Sequence, residues 1–126
     1  MAATIHMSSI SALQAKLLPG QKAVITTHFN PDSDAIGSSL AWQQYLTLKG
    51  LHAQVIVPSA VSQNLQWMPG ASAILNAENP IQKVQIAPLI EQADWIFCLD
   101  FSGLQRLLVA LNLQELHLKK QKLQNE

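Results

Sequence analysis

Three metal-seeking side chains, His28, Asp32 and Asp34, fall in one stretch, His28-Phe29-Asn30-Pro31-Asp32-Ser33-Asp34, and Asp100 closes an apolar run further along. One imidazole with three carboxylates is a nitrogen and oxygen donor set without sulfur. It suits manganese, magnesium, cobalt or iron rather than structural zinc. Two aspartates two residues apart can point to neighbouring ions while a third carboxylate, arriving from another strand, bridges both. Ions about 3.5–4 Å apart hold a hydroxide nucleophile and stabilise charge on a phosphoryl oxygen. After the aspartates, Gly37 lets a first helical turn approach a ligand, and with Ser38 beside it that turn favours an anionic phosphate. A plainer reading is open for the same residues: Asp32 or Asp34 caps a helix, and His28 bonds a loop carbonyl.

These side chains need elements to carry them. Ser8 and Ser9 precede Ile10, Leu13 and Leu17 at helical spacing and Pro19-Gly20 stops the run, which predicts a short amphipathic first helix. Residues 23–27, rich in β-branched side chains, read as a buried strand running into His28. After the Asn30-Pro31 turn signal, Asp32 and Asp34 flank an expected helix start, and Ala35 to about Lys49 continues the helix, apolar on more than one face and closed by Gly50. Residues 53–57 form the next predicted strand, ended by Pro58. The span 59–87 is mixed, with turn chemistry at Met68-Pro69-Gly70 and at Asn79-Pro80. Pro88 is expected to open a short helix reaching about Ala93. Residues 95–99 read as the third strand, ending on Asp100, and Ser102 with Gln105 opens a last helix through Leu104, Leu107, Leu108 and Leu111.

Strands separated by helices predict an α/β fold, a parallel sheet with flanking helices, and ligands in such sheets bind outside the carboxyl ends of the strands. His28 and Asp100, 72 positions apart, are thereby expected on one edge of the sheet.

The chain has 126 residues, a formal net charge of zero and 48% hydrophobic residues. That fits one packed domain and excludes a broad basic surface for long duplexes. No secretory pattern opens it and no apolar run approaches the roughly 20 residues of a membrane span, so no membrane partner and a cytoplasmic location are expected. The single cysteine, Cys98, is expected to be a small buried strand residue. His6, His52 and His117 have no neighbouring ligand and are read as solvent-facing.

Residues 26–40, Thr26-Thr27-His28-Phe29-Asn30-Pro31-Asp32-Ser33-Asp34-Ala35-Ile36-Gly37-Ser38-Ser39-Leu40, resemble the first motif of the DHH phosphoesterase family. Phe97-Cys98-Leu99-Asp100 with Arg106 resembles the second. The family includes RecJ-like exonucleases, nanoRNA oligoribonuclease and pAp phosphatase enzymes, and family II pyrophosphatases. The Asn-Pro-Asp form and Trp67-Met68-Pro69-Gly70 look closest to the nanoRNA and pAp branch. The resemblance covers residues 8 to about 110 and implies manganese bound by His28 and Asp32, a second ion at Asp34, and Asp100 bridging. It implies that Asn30 helps to hold the loop or a phosphate, beside the phosphate-favouring turn at Gly37 and Ser38. Arg106, about one helical turn into the last helix, is open to pairing with Asp100, to meeting a substrate phosphate, or to plain exposure. Ser33 stands where the family usually has glycine.

The family's third motif, Asp-His-His, its fourth motif and its glycine-rich carboxy-terminal substrate domain are not in the sequence. The chain is accordingly expected to be the amino-terminal portion, residues 1–126, of a DHH phosphoesterase domain. The complete enzyme would hydrolyse short single-stranded RNA oligonucleotides or nucleotide phosphates such as pAp, and this portion by itself would turn over little. An incomplete sheet also predicts an exposed apolar flank at 95–111 and self-association through it. Two other readings stay open: a truncated, non-catalytic interaction module, and a metal-free nucleotide-binding α/β module.

Overall fold

A computed structural model describes residues 7–99, with side chains described from residue 11 onward. The elements run α1 (Met7–Lys16), β1 (Lys22–Thr26), α2 (Ser33–Leu48), β2 (His52–Val57), β3 (Leu75–Asn76), α3 (Pro80–Gln92) and β4 (Trp95–Cys98), with 3₁₀ turns at Gln63–Leu65 and Ala71–Ala73. Four strands form one sheet in the order β3-β2-β1-β4, every pair parallel. The expected α/β class is what the chain adopts.

Alternation along the inner strands explains the layers. Ala23 and Ile25 of β1 and Val55 and Val57 of β2 pack with Ile36, Leu40 and Leu46 of α2, together with Leu17. Val24 and Ile56, one residue out of phase, pack instead with Ile86 and Ile90 of α3. With a helix on each face, β1 is buried from Ala23 to Thr26. Fully burying an isoleucine such as Ile25 is worth about 1.5–3 kcal/mol, so β1, which ends two residues before His28, is firmly held in the sheet.

The order of strands carries the functional consequence. From β1 the chain winds to β2 and β3 on one side, then returns through α3 to place β4 on the other side of β1. That reversal is a topological switch point, and it leaves a crevice at the carboxyl ends of β1 and β4. Thr26 pairs with Cys98, and the Leu99 N–H donates to Thr26 O at 2.9 Å. The strand ends preceding His28 and Asp100 are therefore neighbours; Asp100 itself, Arg106, His6, His117 and the last predicted helix lie outside the described residues.

Several expectations are corrected. The helix expected at Pro88 starts eight residues earlier: Asn79 is its N-cap, accepting from the Ile81 and Gln82 N–H groups, and Pro80 is the proline of its first turn. An Asn-Pro pair serves a turn and a helix start equally well, because both want a side-chain acceptor followed by a fixed φ. Pro88 lies inside α3, on an exposed side shared with Val84, where water can take the carbonyl that the proline leaves unbonded. The helix after the motif opens at Ser33, between Asp32 and Asp34 as expected, but it buries one face rather than several, with Leu48 82% exposed. Cys98 is exposed, not buried, because β4 is the outer strand of the described sheet and its faces are only partly covered. Neighbouring atoms still desolvate its thiol enough to push its pKa up. The two-residue β3 is an unforeseen strand, too short to leave a period in the sequence.

The close of α2 follows expectation. Gly50 has φ +91°, and a Cβ there would meet the Pro19 Cβ at 2.9 Å, so glycine is required by conformation and by space.

Candidate active-site edge

The loop between β1 and α2 is built from its own residue types. Asn30 holds φ +52°, a left-handed conformation that asparagine tolerates better than most residues. Its N–H donates to the Ser59 Oγ at 2.7 Å. Ser59 is buried just beyond the end of β2, so the loop is tied to the neighbouring strand end. Asn30 thus has a structural duty beside any contact with phosphate. Ser59 escaped the sequence reading; its position directly after Val57-Pro58, on the same sheet edge, is the signal that could have found it. Ser33 occupies the first position of α2 with negative φ, so replacing glycine there asks nothing unusual of the backbone.

Asp32 is the N-cap of α2, and its Oδ1 accepts the Ala35 N–H at 2.9 Å. The plain reading of this aspartate is therefore realised, and it does not exhaust the side chain: a carboxylate accepts several bonds and Asp32 is exposed. The His28 Nδ1 lies 2.8 Å from Phe29 O. A carbonyl can only accept, so Nδ1 carries a proton, and Nε2 is the nitrogen through which the imidazole would bind a metal. That Nε2 stands 4.0 Å from the Asp32 Oδ1. Two bonds of about 2.1 Å to one ion span at most about 4.2 Å between donors, so the pair lies within the reach of a single cation, at its wide limit.

Asp34 is exposed in the first turn of α2. Among the described residues, no three histidine, cysteine or acidic side chains are gathered closely enough to hold an ion together. The His28–Asp32 pair is what the fold assembles there, with Asp34 one half-turn on. The donor set fits a hard divalent cation: nitrogen and oxygen only, at the mouth of the switch-point crevice.

The remaining predicted residues divide. Gly37 has no atom within 4 Å of where a Cβ would stand, so the chain leaves open space over the early turns of α2. The Ser38 hydroxyl donates to Asp34 O at 2.7 Å and also lies 3.2 Å from Ala35 O, which commits its proton within the helix and leaves its oxygen to accept. His52 is exposed at the opposite, amino-terminal end of β2, remote in the fold from the motif. Beneath the site, the hydroxyls of Thr26, Thr27 and Ser39 are buried without a hydrogen-bond partner. Unpaired buried hydroxyls are costly and uncommon, and these cluster in sequence around the motif.

No helix among the described residues is long and apolar enough to cross a membrane. No family model and no curated protein matches this chain. Among solved structures, it is similar to an exopolyphosphatase-related protein from Bacteroides fragilis, with 37% sequence identity and a TM-score of 0.72 over 84% of this chain. The matched region is 31% of that chain, so this sequence spans about a third of the length of the protein it resembles. At that identity the likeness is one of sequence as well as of fold, and it relates the chain at a coarse level to hydrolases of the phosphoesterase kind.

Proposed function

We propose that this chain is the amino-terminal portion of a metal-dependent phosphoesterase of the DHH type. The observation that carries the reading is the His28–Asp32 pair, 4.0 Å apart at the carboxyl end of β1, beside the strand that leads into Asp100. The likeness to an exopolyphosphatase-related protein supports the same reaction class.

His28, Asp32, Asp34 and Asp100 are the residues that would hold divalent cations, manganese first, with magnesium or cobalt as substitutes. Such ions supply an activated water and charge stabilisation at phosphorus. The chain's own part is to present the donors: Phe29 O fixes the imidazole tautomer, Ser59 anchors the loop, and the capping bond of Asp32 orients its carboxylate. Asn30, Gly37 and Ser38, with Arg106 outside the described residues, are the residues assigned to the substrate phosphate. Short single-stranded RNA oligonucleotides and nucleotide phosphates such as pAp are the proposed substrates. With no Asp-His-His segment in the sequence, the 126-residue chain by itself is expected to show little turnover.

Calorimetry with manganese tests this. Binding by the 126-residue chain that is lost in Asp34→Ala and in Asp100→Ala supports the phosphoesterase reading. Indifference to manganese would leave a metal-free nucleotide-binding module in its place. Manganese-dependent release of nucleotide by the purified chain would overturn its expected inactivity.

A further inference from the structure

A recess of about 280 Å³ runs beside α2, lined by Gly37, Leu40, Ala41, Gln44, Trp67, Met68 and Pro69. Every lining side chain is uncharged. Trp67 is 75% exposed, an unusual position for the largest apolar ring in the chain, and it stands on the loop that follows β2. Gly37 leaves its side open, since a Cβ there would meet nothing within 4 Å. Asp34 of the candidate site shares a face of α2 with the lining residues Gly37, Ala41 and Gln44, which follow it at helical spacing. At 1.5 Å per residue, Asp34 to Ala41 is about 10 Å, comparable to the length of a mononucleotide.

We propose that this recess is a nucleobase subsite, in which the Trp67 indole stacks on the base of a nucleotide whose phosphate is held at the Asp34 end. The inference rests on the phosphoesterase reading and deepens it by assigning the residues that would receive the base of a nucleotide substrate. An occupant must be anionic where it meets the metal-seeking carboxylates and flat and neutral where it meets Trp67. A nucleotide has both parts. Inorganic polyphosphate is charged throughout and gains nothing from a neutral, largely apolar lining. The volume lies at the small end of ligand pockets, which suits a single base. The Gln44 amide, exposed and lining the same recess, offers a donor and an acceptor to the edge of a base.

The test is tryptophan fluorescence of the 126-residue chain titrated with adenosine 5′-monophosphate, a ribodinucleotide and inorganic tripolyphosphate, with manganese calorimetry in parallel. The base-bearing ligands are expected to quench emission. Trp67→Ala should weaken their binding about tenfold, the scale of one base–aromatic stack, and Trp67→Phe should restore part of it. Ala41→Leu, at an exposed helical position where leucine keeps the fold, should fill the floor and weaken nucleotide binding without changing the melting temperature. Tripolyphosphate should be indifferent to all three substitutions. Manganese binding with nucleotide affinity unmoved by Trp67→Ala and Ala41→Leu would overturn the subsite and leave the phosphoesterase reading standing. Nucleotide binding that depends on Trp67 in a chain blind to manganese would do the reverse. No binding of any base-bearing ligand would overturn the subsite.

Discussion

The two ends of the sheet differ in what they offer. At the amino-terminal end, a recess of about 400 Å³ is lined by Lys22, Ala23, Val24, Thr47, Leu51, His52, Ala53, Gln54, Leu89 and Gln92. It is the roomier space, yet it carries no carboxylate, and its histidine stands without an acidic partner in the lining. At the carboxyl end, His28, Asp32 and Asp34 crowd one short loop and helix turn, and the recess beside α2, at about 280 Å³, is smaller. The larger recess and the metal-seeking donors thus lie at opposite ends of the same two strands. The reason is topological: the chain reverses its winding between β1 and β4, and the resulting crevice opens only at the carboxyl ends, where loops are free to carry polar groups.

The sharpest way to break this comparison is to remove donors from each end in turn. His28→Ala is expected to weaken manganese binding by at least about 100-fold, beyond the 10–100-fold typical of supporting residues, while His52→Ala leaves it unchanged. Calorimetry on both variants checks this. Equal effects would dissolve the distinction. Asp32→Asn sharpens it, because asparagine keeps the cap of α2 and loses the charge, so binding should fall while the melting temperature holds.

Both ends hang from β1, and Ile25 is fully buried at its centre. Ile25→Ala is expected to cost about 2–5 kcal/mol, read from the denaturation midpoint, and to damage both ends together. Smaller effects separate them again. Asn30→Ala places a Cβ-bearing residue with no polar side chain in a left-handed conformation and should cost about 1–2 kcal/mol, whereas Asn30→Gly should be nearly neutral; hydrogen exchange at Asn30 and Ala35 would report whether the loss is confined to the carboxyl-end loop. The smallest expected change is a gain. Thr27→Val exchanges an unpaired buried hydroxyl for a methyl group of similar shape and should raise stability by up to about 1 kcal/mol. A loss there instead would mean that the hydroxyl has a partner under the conditions of the experiment.

The core of this fold is legible in the sequence wherever the signal is local. The β-branched run before His28, the glycine closing α2 and the cap at Asp32 each announce themselves within a few residues, because period, left-handed φ and N-cap chemistry are properties of short segments. The start of α3 was misplaced because Asn79-Pro80 and Pro88 are both permissible helix openings, and only packing of Ile86 and Ile90 against β1 and β2 decides between them. Cys98 was misread because an apolar strand looks the same at the centre and at the outer position of a sheet; exposure depends on its neighbours.

The sequence by itself determined the donor types, their spacing around one turn, and the α/β class, since these follow from side-chain chemistry and periodicity. Tertiary structure alone decided the full strand order β3-β2-β1-β4, that Ser59 holds the Asn30 loop, and that Trp67 stands over the open face of α2. Those are matters of which distant surfaces bury each other, and the two-sided burial of β1 settles them through contacts that no window along the chain contains.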